Sequence, residues 1–503
     1  MSSTPLPDRT NEPAHREGAG RPSIGALLVG LVVGTALFRV GLAGSKSLVL
    51  DEFHTWFHAT RTDFAAFFEA LCEDNHPPLS FLVVGVARTA LGSSELALRS
   101  PAIVYGLVEI ALVAALARRL AGPRASVVAA ALLATSAMHV DYGTQARMYA
   151  LLSVSITAVA LSITDLVGRE RPGRGAGAAL ALGAFAAFHA HYFAVQYLGL
   201  LTIAALCAAP RRAARLLAPL AAAAALSLPW ALTGFRTQLG HDLPPGGDDV
   251  GLNALAESFM HLFAHNVSFG GPVLKWFFAS AAGLALLLAL RGLVLGVRDR
   301  ATRPVAVVCA TCAFVVPLVA WSLAQALPRA GYTWHYVLPS AASAAALAAA
   351  GARGRAGRVA VAAALVGTTT LTALHLFRPA TEDFRGAVAF LLDEYEGTAS
   401  EGRAVRAVAV TFQPALFPQG QAYDYYAPRL TPDPPAREPM IEREFDVVRR
   451  ERLVEADRVL VVQRSLPPSM GLRASLREAF GPPRVEEFGY GLSVLSYERP
   501  PGP

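Results

Sequence analysis

Stretches of Ala, Leu, Val and Gly that are apolar around the whole helical circumference return eleven times along this chain. They occupy residues 24–42, 101–117, 125–140, 148–167, 176–190, 193–209, 216–232, 273–290, 305–327, 336–351 and 359–377. A helix of a soluble bundle keeps one polar face toward water; these stretches keep none, so lipid is the solvent they suit. The whole chain agrees, because 53% hydrophobic and 16% charged residues over 503 positions leave too little polar surface for a water-soluble protein of this size. A polytopic α-helical membrane protein with about eleven transmembrane helices is expected.

The arginines give the orientation. With the segment before residue 24 on the cytoplasmic side, alternation collects the basic clusters there: Arg118, Arg119 and Arg124; Arg169, Arg171 and Arg174; Arg211, Arg212 and Arg215. Arg298, Arg300 and Arg303, and then Arg353, Arg355 and Arg358, follow on the same side, as the positive-inside bias requires. The net charge of +6 is therefore topological, and a nucleic-acid partner is excluded. Residues 77–91 are apolar but short and carry Arg88; they read as a juxtamembrane or re-entrant helix at the outer surface. Residues 1–21, polar and Pro-containing, read as a disordered cytoplasmic tail.

Residues 22–378 then form the membrane domain, with an outer loop at 43–95, and residues 379–503 an extracytoplasmic domain. The last region is rich in charge and proline. Runs at 406–412 and 458–463 have the β-branched character of buried strands, and 383–394 and 440–454 read as helices, which makes a soluble α/β domain. Four cysteines are too few to frame the fold, and the Cys309–Ala310–Thr311–Cys312 run lies inside an apolar span, where it reads as helix packing rather than a metal or redox motif.

Sorted by side, the polar residues separate. The inner face receives mostly arginine, while the outer face receives Asp51, Glu52, His54, Asp74, His76, Asp141, Gln145, Arg147, Tyr149, His191, Tyr192, Arg329, Trp334 and His335. Carboxylates, imidazoles and guanidiniums brought from several helix ends to one face point to a site assembled between helices. Adjacent carboxylates at the exit of the first span, Asp51 and Glu52, need compensation by a cation or by a reacting proton. A guanidinium at Arg147 matches a phosphate in a bidentate way, although at this depth it equally serves as an interface anchor.

Taken together, Asp51–Glu52, His76–Pro77–Pro78–Leu79, Leu98–Arg99–Ser100–Pro101, Gln145–Ala146–Arg147–Met148–Tyr149–Ala150–Leu151 and His191–Tyr192 resemble the polyprenyl-phosphate-sugar-dependent glycosyltransferases of the GT-C class. That class includes protein O-mannosyltransferases and the lipid A aminoarabinose transferase, and the resemblance runs from Leu48 to Pro339. It implies a GT-C-like membrane domain in which Asp51 is the catalytic base or positions a metal, Glu52 supports it, and Arg147 holds the donor phosphate. The substrate-binding candidates are His54, His76, Arg147, Tyr149, His191, Tyr192, Arg329 and His335. At Trp334–His335–Tyr336 the chain departs from the pattern, where many relatives place Arg before Tyr, so a second phosphate contact falls to Arg329 or His335. No Asp-x-Asp pair stands on the outer side, which leaves dependence on a divalent metal ion open.

The expected activity is transfer of a sugar from a polyprenyl-phosphate-linked donor to an acceptor hydroxyl of a glycan, lipid or protein on the extracytoplasmic face, with inversion. The rival is a polytopic transporter or lipid flippase, for which Glu109 inside the second span is the candidate residue. Pairing of Glu109 with Arg99 or Arg39 is the structural alternative.

Overall fold

The computed structural model describes residues 23–212, 214–240, 251–265, 271–327, 332–377, 382–411, 419–436, 438–441, 453, 455–464, 470–489 and 491–500. The tail at 1–21 and Arg329 lie outside them. The helices of the first part are α1 (Ile24–Ser45), α2 (Leu50–Ala59), α3 (Phe64–Cys72), α4 (Leu79–Leu91), α5 (Glu95–Ala121), α6 (Pro123–Ala134), α7 (Ala137–Tyr142), α8 (Tyr149–Gly168), α9 (Ala176–Ala190) and α10 (Ala194–Ala208). There follow α11 (Ala214–Trp230), α12 (Arg236–Leu239), α13 (Leu252–His261), α14 (Gly271–Arg298), α15 (Arg303–Ala310), α16 (Val316–Ala326), α17 (Leu338–Gly351) and α18 (Gly354–Phe377).

Among the described residues seven helical segments are long and apolar enough to cross a membrane: α1, α5, α8, 214–239, α14, 303–326 and 354–374. Two of them run through a π-helical turn, Ala231–Phe235 just after Pro229 and Thr311–Val315 just before Pro317. Proline lacks the N–H that would close the helical ladder, and the wider turn absorbs the mismatch. The other four expected spans are shorter helices. The 125–140 stretch breaks at Ser136, whose Oγ accepts from His139 N at 3.4 Å and starts α7 afresh. Helices α9 and α10 have 15 residues each and α17 has 14, roughly 21–23 Å at 1.5 Å per residue against a hydrocarbon core of about 30 Å.

Helix α17 sits inside the bundle, with all 14 residues buried. Its alanine-rich sequence admits close neighbours: a Cβ on Gly292 would lie 1.8 Å from Leu347 O, and one on Gly351 2.0 Å from Leu288 O, so α14 and α17 touch backbone to backbone. Away from α2, arginines of the basic clusters bond to carbonyls in the C-terminal parts of helices. Arg119 donates to Leu161 O (2.6 Å) and pairs with Asp165 (2.8 Å), Arg212 donates to Val167 O (3.1 Å), and Arg303 to Val297 O (2.9 Å).

The C-terminal region is a five-stranded sheet of order β2-β1-β3-β5-β4, from β1 (Val405–Thr411), β2 (Glu438–Ile441), β3 (Arg458–Arg464), β4 (Arg484–Glu487) and β5 (Leu492–Glu498). Strand β1 runs parallel to β2 and β3, and β5 antiparallel to β3 and β4. The helices are α19 (Phe384–Ser400), α20 (Gln419–Leu430) and α21 (Met470–Phe480). Residues 440 and 441, expected to open a helix, instead belong to β2, where Met440 and Ile441 pair with Val410 and Thr411.

The period of two in β3 builds two faces. Val459 and Val461 pack with Leu476, Phe480 and Tyr497, whereas Leu460 and Val462 pack with Phe384, Leu391 and Tyr426. That second cluster does not stop at the domain: it continues into Leu48, Leu50, Phe53, Leu98 and Ala146. Phe53 of α2 meets Phe384, Tyr425 and Tyr426 edge-on at 5.2–5.9 Å. Polar bonds fix the register: Leu48 N donates to Tyr426 Oη (2.7 Å), Leu50 N to Glu382 Oε2 (2.8 Å), and Arg385 pairs with Glu95. The C-terminal domain and the acidic helix α2 therefore stand at the same end of the bundle.

Candidate functional site

Two adjacent carboxylates on the first turn of α2 have opposite surroundings. Glu52 is fully buried, and its two oxygens accept from Arg99 Nε (2.7 Å), Arg99 Nη2 (2.5 Å), Ala146 N (2.7 Å) and Val49 N (2.9 Å). Arg99 also donates to Ala43 O, Lys46 O and Ser47 O. This ion pair binds α1, α2, α5 and the 143–148 loop into one unit and leaves Glu52 no lone pair for chemistry. Asp51 is exposed. Its charge acts on Arg147, Tyr142 and His335, which face it from three other elements.

Arg147 is buried, and Nη1 donates to His54 Nδ1 (3.0 Å), Asp51 O (3.2 Å) and Thr55 Oγ1 (3.4 Å). Burial alone would lower its guanidinium pKa, but the Asp51 carboxylate, with Tyr149 and Asp74, raises it, so the cation is secure. Its carbon lies 6.0 Å from the Tyr149 ring centre. From Tyr149 a chain of rings continues to His335 (4.9 Å) and His191 (6.3 Å), then from His191 to His76 (5.9 Å) and from His76 to His54 (5.6 Å). Burial pushes His335 down to about 4, although Asp51 opposes it, and lowers His191 well below the ordinary histidine value. These imidazoles are neutral at physiological pH and act as hydrogen-bonding and stacking groups.

A second carboxylate closes the other side. Asp74 is buried, with Oδ2 at 2.8 Å from both His54 Nε2 and His58 Nε2, and Oδ1 at 3.0 Å from His76 Nδ1. Burial would raise the Asp74 carboxyl; the imidazoles of His54, His58 and His76 outweigh it and hold it well below the usual carboxylate range.

The structure thus brings together Asp51, His54, His76, Arg147, Tyr149, His191 and His335. Tyr192 is turned away: its hydroxyl donates to Gln238 Oε1 (2.5 Å) and accepts from Trp230 Nε1 (3.0 Å), which locks the segment after α11. Asp74 was expected on the outer face but without a specific role, and His58 was not expected there. The spacing of His54 and His58, four apart on one helix face, was the available signal. Glu109 meets neither expected arginine directly. It accepts from Ser153 Oγ (2.7 Å), Thr157 Oγ1 (2.9 Å) and His139 Nε2 (3.2 Å), while Arg39 reaches His139 Nδ1 (2.8 Å) and Arg99 is committed to Glu52.

Comparison with known proteins finds no match among curated sequences. ArnT from Cupriavidus metallidurans in the apo state is similar in structure at 15% identity, covering 94% of this chain and 98% of its own, with a TM-score of 0.46. The archaeal oligosaccharyltransferase AglB from Archaeoglobus fulgidus, in complex with an inhibitory peptide and a dolichol-phosphate, is similar at 12% identity, covering 91% of this chain and 71% of its own, with a TM-score of 0.49. Residues 75–232 match the family model described as dolichyl-phosphate-mannose-protein mannosyltransferase. The matched span includes His76, Arg99, Arg147, Tyr149 and His191 of the cluster described above, so over this region the chain resembles the dolichyl-phosphate-mannose-protein mannosyltransferases.

Proposed function

We propose that this chain is a membrane glycosyltransferase that moves a sugar from a polyprenyl-phosphate-linked donor to an acceptor hydroxyl at the extracytoplasmic face. The observation that carries the reading is the arrangement of Asp51 and Arg147: an exposed carboxylate beside a buried, permanently charged guanidinium, at the mouth of an apolar bundle. A lipid-linked phosphate places its chain in the bilayer and its charge where Arg147 stands.

Asp51 takes the proton of the acceptor hydroxyl as its oxygen attacks the anomeric carbon. The bond from that carbon to the phosphate oxygen breaks, and polyprenyl phosphate leaves with its new charge opposite Arg147. Glu52 is sealed by Arg99 and two backbone N–H groups, so the carboxylate next to Asp51 is held away from forming a covalent sugar intermediate. A single displacement with inversion follows. Tyr149, His191 and His335 line the approach with neutral polar rings suited to sugar hydroxyls.

With the basic clusters cytoplasmic, the α2 end and the C-terminal domain face outward and the N-terminal segment inward. A reporter active only in the cytoplasm, fused after the C-terminal domain, should stay dark; a signal there inverts the topology and removes the lipid-linked donor from reach. The activity itself is tested by incubating the purified protein with a panel of radiolabelled polyprenyl-phosphate sugars. Hydrolysis or transfer from one member names the donor, and no turnover of any member with extracted envelope acceptors overturns the reading.

A further inference from the structure

We propose that His54, His58 and Asp74 form a binding site for a divalent transition-metal ion of the zinc type. The three ligand atoms, His54 Nε2, His58 Nε2 and Asp74 Oδ2, lie within 4.8 Å of one another, and each nitrogen is 2.8 Å from the oxygen. The histidines are one turn apart on the same face of α2, and the carboxylate comes from the turn after α3. All three residues are buried, at 6%, 0% and 0% exposure. Both nitrogens stand at ion-pair distance from Oδ2, but the rings are not oriented for well-formed hydrogen bonds to it, and the three atoms face one common point. Poorly oriented buried polar atoms call for a better partner, and an ion held between these three would supply one.

The donor set selects the ion. Two imidazole nitrogens and one carboxylate oxygen suit zinc and its neighbours, whereas magnesium and calcium prefer all-oxygen shells. Three protein ligands leave a fourth position for water or a ligand oxygen, the pattern of sites that are not purely structural. The other oxygen of Asp74 is already held, by Asn75 N at 2.5 Å and His76 Nδ1 at 3.0 Å, which aims Oδ2 at the histidines as an outer-shell support does. His58 also lies behind the wall of a groove of about 510 Å³ formed with Arg61, Phe67, Phe81 and Arg88.

Arg147 makes the site conditional. A guanidinium only donates, so its contact with His54 Nδ1 at 3.0 Å requires that nitrogen to be bare and places the ring proton on Nε2. A metal on Nε2 needs that lone pair, which moves the proton of the neutral ring to Nδ1, where it would face the Arg147 N–H. Metal loading and the Arg147–His54 bond therefore exclude each other. The loaded state releases Arg147 from His54 and leaves it its contacts with Asp51 O and Thr55 Oγ1.

The test uses full-length protein in detergent, stripped with a chelator and titrated with Co²⁺, whose visible d–d absorption reports its ligands, followed by displacement with Zn²⁺. No transferase assay enters, so failure of the proposed activity and failure of this site are separate results. One equivalent of Co²⁺ displaced by Zn²⁺ is expected in the unaltered protein. Asp74→Asn and His58→Gln should each weaken binding at least a hundredfold; His76→Gln should weaken it about 10- to 100-fold through lost support. Arg147→Ala should tighten it, because the competing bond is gone. Absence of stoichiometric Co²⁺ in the unaltered protein overturns the proposal whatever the variants do, and so does binding that survives unchanged in both Asp74→Asn and His58→Gln.

Discussion

The bundle interior and its α2 end each hold a carboxylate, an arginine and a histidine, yet the two groups are built to opposite ends. Inside, Glu109 is fully buried and accepts from Ser153, Thr157 and His139, with Arg39 closing the far side of the same imidazole. Nothing there is open to a substrate. At the α2 end, Asp51 is exposed, Arg147 is buried beside it, and the histidines facing Asp74 are short of hydrogen bonds. Helices that share one core hold a buried carboxylate on several donors at once; a carboxylate that takes a proton from a substrate needs a side open to it. Glu52, next in sequence to Asp51, belongs with Glu109 in this respect.

The largest structural effect is expected at the buried carboxylates. Glu52→Gln should destabilise the protein by about 3–5 kcal/mol, since it leaves Arg99 buried without its counter-charge, and thermal unfolding in detergent will show the shift. Next, Glu109→Gln keeps an acceptor for Ser153 and Thr157 and should cost about 1–3 kcal/mol while transfer per folded molecule stays near that of the unaltered protein. Loss of transfer without loss of stability would place Glu109 in the chemistry and dissolve the contrast. Arg147→Ala should weaken the donor Kd about 10- to 100-fold, a larger effect than its cost to folding, which thermal unfolding measures separately. An unchanged Kd returns Arg147 to a lipid-interface anchor. The smallest effect belongs to the opposite end: Arg169→Ala removes an exposed guanidinium 3.0 Å from Asp165, which keeps its pair with Arg119, and should cost under about 0.5 kcal/mol.

Much of the architecture was legible because lipid imposes a simple rule on sequence. Apolar stretches and arginine clusters marked the helices and their ends, and the same logic gathered Asp51, His76, Arg147, His191 and His335 on one face. What the pattern could not separate was neighbours of one chemical type. Asp51 and Glu52 look alike until Arg99, distant in sequence, claims one of them, and Tyr192 looks like His191 until Gln238 and Trp230 claim it. Composition also says nothing of what surrounds a helix: α17, apolar like the others, is buried on every side by its neighbours. In the C-terminal domain, α20 was not anticipated because Pro428 and its polar tyrosine-rich sequence break the apolar period.

Asp51, the exposed member of the adjacent pair Asp51 and Glu52, is the proposed base, and Asp51→Asn tests that role with the least disturbance of shape. Turnover would be measured at saturating donor and acceptor, beside donor affinity and melting temperature. A fall of about 10² to 10⁴ in turnover is expected with donor binding and stability nearly unchanged, because the lost interaction exists only in the transition state. A variant that keeps more than about a tenth of the original turnover would contradict it, since asparagine can serve a helix start but cannot accept that proton.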